Sequence, residues 1–341
     1  MVVIIYKTYS PNNPVKLPED LVDLIVSAGE PWTSADLARL MLVSPVWLHP
    51  VRRAMYSSVT LTSPRQWPLI ADTLKVHREY ATMLTRLTLD EPVRTSTSLP
   101  PIGTLFFTLE HLRALFAHLI QLSYLRVSGS SGVAACMQAL EKLPNPDLLR
   151  ELDIGGPPIG AHLTLPRMAD RSLIWTEKTP SRGLTHLKLS NVLLTFRMHP
   201  TTRGLPPNLT HLTLIEAEIP NVISLTTYPP NLTSLTVVTR TTRYMDPFAQ
   251  VRSLVQNTRE SLEHFSHTML HAAEGPWGTY RWVLPVCPRV KHLETDALLY
   301  GSRWFPNLAE SFPNMETWTV WNKPAAEVHI SSEEEDTEDE A

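Results

Sequence analysis

The sequence predicts an α/β chain: a short N-terminal three-helix segment, then an irregular solenoid of repeats whose strands stack as a parallel sheet on the concave face. Three observations carry this reading. The phrase L-x-x-L-x-L returns in six clear copies and three weaker ones between residues 84 and 320, and internal repetition outranks any single motif as a sign of fold. Residues 15–58 instead place apolar side chains at helical spacing. A count of 30 Pro against 12 Gly calls for many stiff, non-helical connections between elements.

Residues 1–14 are expected to be flexible, with no basic region, apolar length or cleavage site of a secretory signal. Residues 15–58 divide into three helical pieces. Pro18, Glu19 and Asp20 suit a first helical turn, and Leu21, Leu24 and Ile25 share one face behind them. Gly29-Glu30-Pro31 stops that helix, and Thr33 with Asp36 reads as a capping pair opening a second one, whose face carries Leu37, Leu40 and Met41. Ser44-Pro45 starts a third with Val46, Trp47, Val51 and Met55, and Pro50 should kink it or delay its onset. Three helices of this size cannot bury every apolar face, so some of Leu17, Leu21, Leu37, Val43 and Trp47 should meet another protein or the next domain.

The repeat phrase begins at Leu84, Leu122, Leu149, Leu184, Leu209 and Leu232, with weaker copies at Leu262, Val290 and Met315. Alternation of apolar and polar residues makes a short strand with one face to bury, and parallel stacking supplies the missing cover. Residues 105–122 carry Leu105, Leu109, Leu112, Phe116 and Leu119 at helical spacing, so they form a returning helix and not a membrane span. The other returns read as extended segments or short turns. Pro206-Pro207 and Pro229-Pro230 stand just before strands, where a missing N–H does least harm. The solenoid covers residues 59–325, and residues 326–341 form a disordered tail rich in acids.

Residues 59–321 resemble the leucine-rich-repeat family, most closely in the paired phrases Leu205-Pro206-Pro207-Asn208-Leu209-Thr210-His211-Leu212-Thr213-Leu214 and Tyr228-Pro229-Pro230-Asn231-Leu232-Thr233-Ser234-Leu235-Thr236-Val237. The Asn usual after the strand is mostly missing, with Asn191 the best candidate, so the Asn ladder of regular repeats is expected to be absent. The run Leu17-Pro18-Glu19-Asp20-Leu21, with Leu37, Leu40, Val43, Trp47 and Tyr56-Ser57-Ser58-Val59-Thr60-Leu61, resembles the F-box of fungal F-box proteins. The Cys-Arg or Cys-Lys usual shortly before the Trp is here Ser44-Pro45. Carried over, the F-box resemblance implies that Leu17, Pro18, Leu21, Val43 and Trp47 contact a Skp-type adaptor and, through it, a cullin.

Side chains flanking the middle leucine of each phrase point away from the core. They include Arg86, Tyr124, Arg126, Glu151, Asp153, His186, Lys188, His211, Ser266, His264, His292 and Glu294, with Trp321 at the border. At a strand spacing of about 4.8 Å, His186 neighbours His211 and His264 neighbours His292. This polar stripe, with imidazoles able to change charge near neutral pH, is the expected surface for a protein substrate: Arg86, Tyr124, Arg126, His186, Lys188, His211, His264, His292, Glu294 and Trp321 are its candidate contacts. Taken together, the two resemblances imply a non-catalytic substrate-recognition subunit of an SCF-type E3 ubiquitin ligase. The alternative is a stand-alone repeat scaffold or inhibitor whose helices only cap the array.

Motifs for chemistry are weak. His267 and His271 have zincin spacing, but Thr268 stands where the glutamate would act as base, and the surroundings read as strand. Ser128-Gly129-Ser130-Ser131-Gly132 and Gly155-Gly156-Pro157-Pro158-Ile159-Gly160 lack the Lys and the spacing of phosphate loops and read as turns. Cys136 and Cys287 lie far apart with no metal-site spacing, which fits a reducing compartment, cytoplasmic or nuclear. No catalytic residue, cofactor or metal is expected. The net charge of −4 resides in the tail, and the near-neutral body argues against nucleic acid as a partner. Ser331, Ser332 and Thr337, followed by acids, suit an acid-directed kinase.

Overall fold

Strand register decides which side chains share a face, because a slip of one residue would turn every leucine outward. The computed structural model describes residues 18–28, 32–63, 65–90, 108–129, 133–156, 172–176, 179, 182–197, 204–217, 219, 228–240, 247–270, 284–296 and 308–321. Ten strands form one all-parallel sheet. They are β1 (Ser58–Leu61), β2 (Arg86–Asp90), β3 (Tyr124–Ser128), β4 (Glu151–Gly155), β6 (His186–Ser190), β8 (His211–Ile215), β9 (Ser234–Arg240), β10 (His264–Leu270), β11 (His292–Asp296) and β12 (Thr317–Trp321), in that spatial order. Two further strands, β5 (Ser172–Thr176) and β7 (Leu193–Arg197), pair in parallel as a separate small sheet.

All nine phrases fall in one register. Val59, Leu87, Leu125, Leu152, Leu187, Leu212, Leu235, Phe265, Leu293 and Trp318 occupy a single inward row across the sheet. The next inward row runs Leu61, Leu89, Val127, Ile154, Leu189, Leu214, Val237, His267, Thr295 and Val320. Leu187, Leu212 and Leu235 are buried in equivalent places on adjacent strands, within one continuous core that reaches from Leu61 to Phe312. Where two positions of the second row turn polar, each has a partner: His267 Nε2 lies 3.1 Å from Thr239 Oγ1, and Trp318 Nε1 donates to Thr295 Oγ1 at 3.0 Å.

Two hydrogen-bond ladders fasten neighbouring strands. Just before each strand, a residue donates its N–H to the carbonyl of its counterpart one strand back, as in Ser123→Thr85, Thr210→Thr185 and Thr233→Thr210. Five of these residues, Thr85, Ser123, Thr185, Thr210 and Thr233, add a hydroxyl bond to the same kind of carbonyl at 3.1–3.2 Å. Farther upstream the side-chain amides of Asn145, Asn208 and Asn314 donate to Ile120, Arg182 and Pro288 carbonyls. After the strands, backbone replaces side chain: Gly129, Gly156, Asn191 and Glu216 donate N–H to Gly155, Ser190, Ile215 and Val238. Asn191 and Glu216 take left-handed conformations there, with φ of 54° and 49°, which a non-glycine residue adopts at some cost.

The N-terminal helices are α1 (Glu19–Ala28), α2 (Ser34–Leu40) and α3 (Pro45–Ser57). Thr33 and Asp36 form the expected capping box, and the Thr33 hydroxyl holds the Asp36 carboxyl below its usual range. The face of α1 differs from the expectation. Val22 and Val26 turn inward, with Ile25 half-buried beside them, and Leu21 and Leu24 lie on the outer side. Apolar residues cover both sides of this helix, so periodicity could not choose, and the contact with α3 does. Pro50 neither delays α3 nor stands outside it: the helix begins at Pro45, and Pro50 is buried in its middle. Its missing N–H falls opposite the carbonyl of Val46, a residue exposed enough for water to reach.

Returns on the far side of the sheet are more helical than expected. Between β1 and β2 run α4 (Gln66–Val76) and α5 (Arg78–Met83), α7 (Val133–Ala139) follows β3, α8 (Pro247–Thr258) precedes β10, and α9 (Leu308–Ser311) precedes β12. The expected helix over 105–122 is α6 (Leu109–Phe116), its Leu112, Leu115 and Phe116 buried and Thr108 capping it; Leu105 lies outside the described residues. Also outside them are residues 1–17, His271, Gly132, Gly160 and residues 322–341. Among the described residues, no helix is long and apolar enough to cross a membrane.

Candidate functional site

Two surfaces collect the side chains singled out from sequence. The first is the outward face of the parallel sheet. At its β2–β6 end, the Arg86 guanidinium lies over the Tyr124 ring, 3.9 Å from the centroid. Asp153 accepts from Lys188 Nζ at 3.3 Å and pairs with the Arg126 guanidinium on its other side, Nε at 3.8 Å. Both cations are half-exposed, so these pairs position the side chains more than they stabilise the fold.

In the middle stand His186 and His211, stacked with ring centroids 4.1 Å apart and planes 13° apart. Each Nδ1 lies 2.9 Å from the hydroxyl of the preceding threonine, Thr185 or Thr210. Burial lowers the His211 pKa, and the adjacent His186 and the farther His264 push in the same direction. Beyond β9, His264 and His292 are neighbours at 6.4 Å between centroids. His264 Nε2 is 3.7 Å from Glu294 Oε1, and His292 Nδ1 is 2.7 Å from Thr317 Oγ1. Trp321 closes the far edge half-exposed. One expectation for this face needs correction: Ser266 is buried, because its short side chain sits below the flanking Thr236 and Glu294 of adjacent strands.

The second surface is the outer side of α1–α3. These helices enclose a small core of their own, Val22, Val26, Leu37, Trp47 and Val51, separate from the main one. Of the five candidate adaptor contacts, Pro18, Leu21 and Val43 are exposed, Trp47 is packed inside this small core, and Leu17 lies outside the described residues. Sequence reasoning missed Leu24, Leu42 and Val46, which are exposed as well. Their signal was available: Leu42 and Val43 follow the last turn of α2, where a helical stripe has already ended. Where such side chains lie together, they make the kind of surface that a partner covers.

His267 is not a surface group at all. It is wholly buried in β10, and burial pushes its pKa down to about 3, so it is neutral at physiological pH. Both cysteines are free and buried, and burial raises each thiol, that of Cys287 to about 12. Thiolate chemistry at neutral pH is thereby disfavoured at both. Among the described residues, no three His, Cys, Asp or Glu side chains stand together as metal ligands would. No protein-family model matches the sequence, and no curated protein matches it significantly.

Proposed function

We propose that this chain is a non-catalytic substrate-recognition subunit of an SCF-type E3 ubiquitin ligase, working in the cytoplasm or nucleus. In this assignment α1–α3 are the F-box-like unit that binds a Skp-type adaptor and through it a cullin, and the ten-stranded sheet is the concave face of an irregular leucine-rich-repeat solenoid that holds a protein substrate. The observation that carries it is the separate helical core with Leu21, Leu24, Leu42, Val43 and Val46 left outside. A unit whose only task was capping would turn those residues toward the sheet. The chain performs no chemistry, and its contribution is proximity between substrate and transfer machinery.

A capping role remains the second reading, favoured by the way α3 runs straight into β1 and by the Tyr56–Tyr80 stack that ties α3 to α5 at 4.1 Å. Affinity capture from a cell extract separates the two. Wild-type chain should retain a Skp-type adaptor, Leu21→Asp and Val43→Asp should lose it, and Leu69→Asp, an equally exposed apolar site on α4, should keep it. Absence of the adaptor from wild-type captures would leave the capping role standing. All three substitutions lie at exposed positions, so folding should survive them.

A further inference from the structure

The two stacked imidazoles make the same hydroxyl contact. Each threonine hydroxyl has one hydrogen. Thr185 Oγ1 gives its hydrogen to the Arg150 carbonyl at 3.1 Å, and Thr210 Oγ1 gives its own to the Thr185 carbonyl at 3.1 Å. With those hydrogens on the carbonyls, the ring nitrogens 2.9 Å away are the donors, which puts the proton on Nδ1 of His186 and of His211 in this arrangement. Nε2 of each ring is then an unprotonated acceptor. Because the rings stand in the same relation to equivalent threonines on register-matched strands, the two Nε2 atoms are separated by about the centroid distance of 4.1 Å. On the other flank, Glu151 of β4 is the register partner of His186 and has no ion pair among the described residues.

We propose that His186, His211 and Glu151 form a subsite for the ammonium group of a lysine on the partner protein. This deepens the reading of the sheet face as a partner-binding surface and rests on it. The geometry suits an ammonium: two N–H bonds at tetrahedral angles reach acceptors roughly 4–5 Å apart at ordinary bond lengths, while the guanidinium fork matches the closer oxygens of a carboxylate. The third N–H faces the Glu151 side. Lys188, the nearest cation in the second outward row, is held by Asp153. Between His211 and the His264–Glu294 pair, β9 contributes only Ser234 and Thr236. Protonation of either ring turns an acceptor into a cationic donor, so protonation closes the subsite. Farther along the face, His264 pushes the His211 pKa down, while Glu294 lies near His264 and His292 bonds to Thr317.

Long-range proton–nitrogen NMR correlations on the full-length chain, assigned with His186→Phe and His211→Phe, report both the tautomer and the site. The expected result is Nδ1–H for both rings. At about pH 7.5, an acetyl-Gly-Lys-Gly-amide probe should shift both Nε2 signals, and the Nε-acetylated probe should bind about tenfold more weakly or not at all. An Nε2–H tautomer in either ring of the wild-type chain, or equal shifts from both probes, overturns the proposal. These outcomes do not depend on adaptor capture, so failure of the ligase reading and failure of the subsite are told apart.

Discussion

Gly183 and Gly155 make a pair of substitutions with opposite expected outcomes. Gly183 is buried in the segment leading to β6, against the short 3-10 turn Pro146–Leu148 that leads to β4. A methyl group there would stand 2.0 Å from the Asp147 carbonyl oxygen, 2.6 Å from its carbon and 3.0 Å from the Leu149 oxygen. All three are backbone atoms, so relief requires the two segments to separate by roughly 1 Å, enough to forfeit close contact. That movement strains the Thr185 and His186 N–H bonds to the Arg150 carbonyl, at 2.8 and 3.0 Å, and the Arg150 Nη1 bond to the Gly183 carbonyl, at 3.0 Å. At about 1 kcal/mol per bond, Gly183→Ala should lose roughly 3 kcal/mol, the upper part of the range for overpacking. At Gly155 the nearest atom to an added methyl is 3.8 Å away, an ordinary contact, so Gly155→Ala should be neutral or gain up to about 1 kcal/mol from the stiffer unfolded chain. Urea unfolding followed by circular dichroism compares the two. Equal midpoints would show that the strand starts do not lie as close as this packing requires.

Other perturbations probe different parts of the molecule. Leu212→Ala removes a fully buried side chain flanked on both sides by Leu187 and Leu235, and should cost about 2–5 kcal/mol; Leu42→Ala on the outer helical surface should change stability by under about 0.5 kcal/mol in the same titration. Burial keeps His267 neutral in the fold with its pKa near 3, whereas the unfolded chain takes up that proton below about pH 6.5. Stability should therefore fall as pH drops through that window, by at most about 1.4 kcal/mol per unit from this residue, and the slope should flatten in His267→Gln; identical slopes would sink the assignment. Buried Cys136 and Cys287 should resist a thiol reagent in native protein and react fully in denaturant, and rapid native labelling would contradict their placement.

The sheet was legible because strand periodicity is two and the leucines keep phase with it, so that even the degenerate phrases at Leu262, Val290 and Met315 fall into register with the clear ones. The outward neighbours His186 and His211 follow from that register alone. The helical returns were harder to see. A helix such as α5, six residues long, spans too few turns to display a period, and its position is set by what it packs against. The pairing of β5 with β7 joins residues from two different returns, a long-range contact that no local pattern encodes. In α1, apolar side chains surround the helix, and only the partner surface of α3 selects Val22 and Val26 over Leu21 and Leu24. Trp47, which the resemblance implies as an adaptor contact, packs its indole into the small core.

One signal in the repeats went unread and links fold to face. The residue after the first leucine is Thr or Ser in five copies, Thr85, Ser123, Thr185, Thr210 and Thr233. Its hydroxyl bonds to the preceding strand, so the residue belongs to the scaffold. Yet in two copies the same oxygen also receives the ring of the histidine that follows. A hydroxyl placed between a carbonyl and a ring nitrogen holds the outward side chain in one orientation. Holding side chains in place beforehand lowers the ordering entropy of binding. Threonine is suited to this double role because its branched carbon restricts the rotamer that aims the hydroxyl. Scaffold and outward face thus meet at the strand starts, and the sheet can vary its outward histidines while its inward leucines keep the strands in phase.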